Sequence, residues 1–153
     1  YIMRDLIEKW IDDFVSVHNE DYGQIPCPYA RAAQVKYVNT NDIDLELKKI
    51  LDCGLLHEVI CIYTATENYT PDEFHDKVME WNSMAMKKDL VALEDHPESV
   101  EIINGTKMNF GHCSLILVQR LSKLTAASNI LNEKGYYKNW TQENLDDVVT
   151  WRK

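Results

Sequence analysis

The chain has 153 residues, a formal net charge of -9, and 45% hydrophobic against 27% charged residues. That length and apolar share suit one domain, spanning 1–153, with a real core, and exclude wholesale disorder. The acidic balance excludes a nucleic-acid backbone binder, which needs a basic face, and an anionic membrane as partner. No apolar run approaches the ~18 residues of a membrane span. The first segment is broken by charges every few residues, unlike a signal peptide. The expected setting is the cytoplasm, and the three Asn-x-Ser/Thr triplets, at Asn68, Asn104 and Asn139, read as chance.

Residues 2–18 repeat apolar side chains at helical spacing (Ile2, Leu6, Trp10, Phe14), with charges opposite, so they predict an amphipathic helix. Asn19 to Gly23 is polar and turn-like. Pro26-Cys27-Pro28 follows. Each proline biases the residue before it towards extended backbone, which places Cys27 in a rigid loop. Gln34 to Val38 alternates and predicts a short strand. Thr40 or Asn41 would cap a helix running to Cys53, with Gly54 just past its end. His57 to Ala65 is nearly continuous, β-branched and apolar, the pattern of a central strand covered on both faces.

Thr70-Pro71-Asp72-Glu73 matches a capping box with proline at the first helical position. The helix behind it carries Phe74, Val78, Trp81 and Ala85 on one face and runs to Lys87. Leu90 to Leu93 predicts a third strand. Residues 96–111 read as a long loop or irregular hairpin around Asn104-Gly105, and Cys113 to Gln119 as a fourth strand. A helix then turns Leu121, Leu124, Ile130 and Leu131 inward and stops at Gly135. Tyr136, Tyr137 and Trp140 form an aromatic cluster, and Thr141 caps a last helix. Strand–helix alternation followed by two consecutive strands predicts an α+β (α/β-like) fold: a four-stranded mixed sheet with packed helices. A ferredoxin-like variant is the nearest standard plan, although it needs a hairpin between the second and third strands that the pattern lacks.

The four cysteines form no Cys-x-x-Cys pair, which excludes a zinc ribbon or thioredoxin motif. Cys61, within an apolar run, reads as a small buried hydrophobe. Cys27 is the first candidate for chemistry: a loop cysteine beside a cation, here Arg31, can serve as nucleophile or ligand. His96 is the second. It sits among Glu94, Asp95 and Glu98, carboxylates that could orient an imidazole. His112 and Cys113 are the third, since they open the strand expected to pair antiparallel with the one ending at His96. Cys27, His96, His112 and Cys113 are also the candidate metal ligands, with the metal and any other cofactor unknown. His75 has no partner by spacing.

The stretches Lys9-Trp10-Ile11, Cys27-Pro28-Tyr29-Ala30, Val35-Lys36-Tyr37-Val38, Trp81-Asn82 and Ala92-Leu93-Glu94-Asp95-His96-Pro97-Glu98 come in a recognisable order. Over residues 5–100 the chain resembles an uncharacterised bacterial family, a domain of unknown function. That family carries Cys-Pro-Phe-Ala after an N-terminal helix and His-Pro-Asp after an internal strand. The resemblance implies that Cys27 and His96 matter and names no substrate. Two expectations follow for function. One is a small enzyme with a Cys27-centred site and His96 or His112 as base, acting on an unknown small molecule. The other is a non-catalytic binding or homo-oligomeric assembly module using the aromatics Tyr136, Tyr137, Trp140 and Trp151.

Overall fold

The computed structural model describes residues 2–65 and 69–153; Asn68 lies outside them. Helix α1 (Met3–Trp10) continues into a wider π-helical turn, Ile11–Val15, in which the Ser16 N–H donates to the Ile11 carbonyl at 3.0 Å. The helix therefore ends short of the expected His18. Strand β1 (Val35–Asn39) leads into α2 (Ile43–Cys53). The cap of α2 is Asp42, whose Oδ1 accepts the Leu45 N–H at 3.1 Å, while Thr40 Oγ1 accepts the Asp42 N–H. Strand β2 (Val59–Thr64) is buried along its whole length, as a central strand must be.

Helix α3 (Pro71–Ala85) starts where the sequence places it. Thr70 Oγ1 accepts the Glu73 N–H at 3.2 Å, and Pro71 occupies the first turn, where no N–H is missed. A 3₁₀ turn, Met86–Lys88, and the left-handed Asp89 then reverse the chain into β3 (Leu90–Asp95). The long connection holds a small hairpin of β4 (Ile102–Ile103) and β5 (Thr106–Lys107). Its turn residues, Asn104 and Gly105, both have positive φ, which is the requirement of a tight hairpin turn. Strand β6 (Ser114–Arg120), α4 (Leu121–Glu133) and α5 (Gln142–Val148) complete the order.

The sheet order is β1-β2-β6-β3. β1 and β2 are parallel, and β6 runs antiparallel to both β2 and β3. The expected antiparallel pairing of the last two long strands is thus present, and β1, β2 and β3 all point one way. β2-α3-β3 with β6 inserted is a split βαβ unit, the half that this fold shares with the ferredoxin-like plan. The other edge differs. It is occupied by β1, which precedes the unit and runs parallel to β2, so the complete ferredoxin-like arrangement is not formed.

Each face of the sheet buries its own core. On one, Leu47 and Ile50 of α2 and Phe74, Val78 and Trp81 of α3 cover Ile60, Ile62, Ala92, Ile116 and Val118. On the other, Ile7 and Trp10 of α1, with Phe110, cover Cys61, Tyr63 and Leu115. The period of two in the strands sorts these side chains between faces. In α4, Ile130 is exposed rather than inward. The buried position there is Ser128, whose small hydroxyl accepts from Arg152 Nη2 at 2.5 Å.

The C-terminal aromatics fold back onto the Pro-Cys-Pro loop. Trp140 Nε1–H donates to Tyr22 Oη (3.0 Å), and the Tyr22 hydroxyl donates to Tyr136 Oη (3.1 Å). The Tyr136 hydroxyl in turn lies 2.7 Å from the Ile25 carbonyl and 2.8 Å from that of Pro26. Rings of Tyr136, Tyr137 and Trp140 pack edge to face and tilted among themselves.

Candidate functional site: an imidazole–carboxylate pair at the end of β3

Cys27 is half-buried and reduced. Its N–H donates to the Val15 carbonyl at 2.8 Å. Burial pushes its thiol pKa up, and the backbone N–H groups of Tyr29 and Ala30 only partly oppose that. A desolvated thiol is a poor source of thiolate. The Arg31 effect expected from the sequence is not among the groups acting on the sulfur; the Tyr136 hydroxyl is its ionisable neighbour instead.

His96 is 3% exposed. Its Nδ1 faces the Glu98 N–H at 3.0 Å, and its Nε2 faces the Tyr69 carbonyl at 2.9 Å. An N–H can only donate and a carbonyl can only accept, so Nδ1 is bare and Nε2 carries the proton. The ring also packs edge-on against Phe74 at 5.7 Å. Both nitrogens of this imidazole thus hold the chain after β3. The described hydrogen bonds that orient it come from the backbone.

His112 turns outward and packs on Phe110 at 5.0 Å, while Cys113 is buried in the core beneath α1. Among the described residues, no group of three or more His, Cys, Asp or Glu side chains is placed to hold a metal ion. The metal reading of Cys27, His96, His112 and Cys113 therefore lacks its geometry. The residues were expected to converge because they cluster near strand ends, but the side chains point into different layers.

The pair that does form is His75 with Glu94. Nδ1 of His75 lies 2.5 Å from Oε1 of Glu94. The contact follows from how α3 lies on β3. Asn82, 1% exposed, uses its amide to bond both backbone groups of Ala92: its Nδ2 donates to the carbonyl (3.0 Å) and its Oδ1 accepts the N–H (2.8 Å). That fixes helix against strand. Two turns back along α3, about 10 Å, is His75. Two residues on along β3, about 7 Å and on the same face, is Glu94. The antiparallel run of helix over strand brings the two together.

Glu94 is mostly enclosed and His75 is open. Their side chains are 25% and 56% exposed. Burial raises the Glu94 pKa, and the bond to His75 counteracts part of that rise. Glu94 Oε2 is buried with no hydrogen-bond partner among the described residues. A carboxylate on Nδ1 fixes the tautomer with the proton on Nδ1, leaving the Nε2 lone pair facing solvent. That is the arrangement of a general base held by an orienting acid. It sits where the three parallel strands end, the side at which open α/β sheets take their ligands.

The same strand end carries two more perturbed carboxyls. Asp95, facing the opposite side of the sheet, is raised to about 7 by burial, with the Phe110 N–H on its Oδ2 (3.0 Å) as the opposing influence. Glu101 in the following loop is also raised by burial. Perturbed titrating groups gathered at one place mark functional sites more often than chance. Two surface clefts of about 240 and 320 Å³ lie elsewhere, beside β1 and the start of β2.

By fold this is an α+β protein built on a mixed four-stranded sheet. Comparison of the chain with known protein families, with curated proteins and with solved structures returns no match. The site was only half visible in the sequence. Glu94 is recognisable as an orienting carboxylate, but His75 lies 19 residues away, and only the docking of α3 on β3 joins them.

Proposed function

We propose that this protein is a small cytoplasmic enzyme whose chemistry is proton transfer by His75, oriented by Glu94. The observation that carries the reading is the 2.5 Å bond from Nδ1 to Glu94 with the far side of the ring open. In a reaction cycle Nε2 takes a proton from water or a substrate hydroxyl, and Glu94 stabilises the imidazolium that results. Asp72 and Asp76 flank His75 on the exposed side of α3. Their charge disfavours phosphate and carboxylate substrates and favours neutral or cationic ones. The family resemblance through Cys27 and His96 remains part of this reading in a different role. Both residues shape the loops beside the sheet, with Cys27 a structural thiol.

Nitrogen-15 NMR of the imidazoles tests the site without a known substrate. Neutral His75 should carry its proton on Nδ1, and Glu94→Leu should release the ring to the mixture usual for a free histidine. Finding the proton on Nε2 in the unaltered protein would end the proposal. Once a neutral or cationic ester or amide is found to turn over, His75→Gln should lower kcat by about 10²–10⁴-fold; a variant with full activity would overturn the assignment.

A further inference from the structure

The two edges of the sheet are treated differently. On β3, the outward N–H and C=O of Ala92 are both taken by the buried amide of Asn82. Among the described residues, nothing equivalent closes β1. The Thr40 N–H donates to the Tyr63 carbonyl and the Val59 N–H to the Gln34 carbonyl. Even-numbered residues therefore face β2, and in a parallel ladder both backbone groups of a residue point the same way. The N–H and C=O groups of Val35, Tyr37 and Asn39 point away from the sheet and have no hydrogen-bond partner among the described residues. An open row of this kind is a template for another strand.

We propose that β1 is a self-association edge, where a second copy of this chain pairs antiparallel about a two-fold axis at Tyr37 and continues the sheet through both copies. The strand suits itself in three ways. Opposing Tyr37 to its own copy sets Val35 against Asn39, so all the outward groups meet as hydrogen-bonded pairs. On the α1 face, two Tyr37 rings become direct cross-strand neighbours, a favourable aromatic pair. On the α2 face, Lys36 of one copy lies across from Val38 of the other, beside the cleft where Glu46 stands. The two-fold would bring each Lys36 toward the other copy's Glu46, which also pairs with Lys49 of its own chain at 3.4 Å, and repeats this on both sides, so the edge is locally complementary although the whole chain is acidic. Leu56, 84% exposed, rims the same cleft. This surface is separate from the C-terminal aromatics, of which Tyr136 and Trp140 are engaged with Tyr22 and the Pro26 carbonyl. It is independent of the His75 site.

The test is sedimentation velocity of the intact chain, from dilute solution up to millimolar concentration. A concentration-dependent dimer is expected. Asn39→Pro deletes one outward N–H and no bond to β2, and should weaken association at least tenfold while circular dichroism stays unchanged. Lys36→Glu should weaken it through repulsion from the other copy's Glu46, and Lys36→Glu with Glu46→Lys should restore it. A monomer at every concentration overturns the proposal and leaves the edge to a different partner. A dimer that both Asn39→Pro and Lys36→Glu leave intact overturns it equally.

Discussion

Glu94 and Asp95 are consecutive carboxylates that the period of the strand sends to opposite faces, one to an imidazole and the other into a dry corner. Asp95 Oδ2 has the Phe110 N–H, but Oδ1 is buried without a partner among the described residues. With its folded pKa raised to about 7, Asp95 binds its proton more tightly in the folded state than in the unfolded one. Stability is therefore highest while both states hold that proton. It falls as pH rises from the ordinary carboxylate range to about 7, then levels off. The raised Glu94 and Glu101 act with the same sign. Asp95→Asn keeps the shape and still accepts from Phe110. It should raise stability at pH 8 by roughly 2–4 kcal/mol and remove most of the slope of Tm between pH 5 and 8 (about the window the shift defines). A variant whose slope matches that of the unaltered protein would refute this account.

At the scale of elements, two side-chain bridges hold the architecture. Asn82 is one. Its replacement by Ala strands a buried N–H and C=O on Ala92, an expected loss of about 2–4 kcal/mol. It should also increase aggregation through the newly opened β3 edge, measured by urea midpoint and light scattering. Tyr136 is the other. Its hydroxyl reaches the Ile25 and Pro26 carbonyls, so Tyr136→Phe should cost about 1–2 kcal/mol. Because that bond pins the loop carrying Cys27, the variant should also speed alkylation of Cys27; an unchanged rate would show that the loop is held without it. The cap of α3 makes a smaller contribution. Thr70→Ala should lower stability by about 1 kcal/mol, read from the thermal midpoint.

At the scale of the molecule, both cores are built on the same central strands, β2 and β6. Trp10 reports the core under α1, and Trp81 the core under α2 and α3, where its Nε1–H also donates to the Leu47 carbonyl. A shared sheet makes the two faces melt together. Single-tryptophan variants retaining Trp10 or Trp81 should therefore give coincident urea midpoints. Separate midpoints would mean that one layer unfolds independently.

The local grammar of this chain was legible without its structure. Thr70-Pro71-Asp72-Glu73 determines where α3 begins because a cap is a contact between near neighbours. The unbroken apolar run around Cys61 determines a central strand, and Asn104-Gly105 a tight turn. Even the mixed sheet follows from strand and helix order. What only the tertiary structure decided are the contacts between distant elements. Spacing places Cys27 beside a cation and His96 among carboxylates, but the structure buries the thiol and sets both imidazole nitrogens against backbone groups. The docking of α3 on β3, fixed by Asn82, chose His75 for Glu94 instead. The insertion of β6 between β2 and β3 left β1 as the open edge. Such choices depend on which faces meet, and hydrophobic periodicity specifies a face without naming the side chain that lands opposite it.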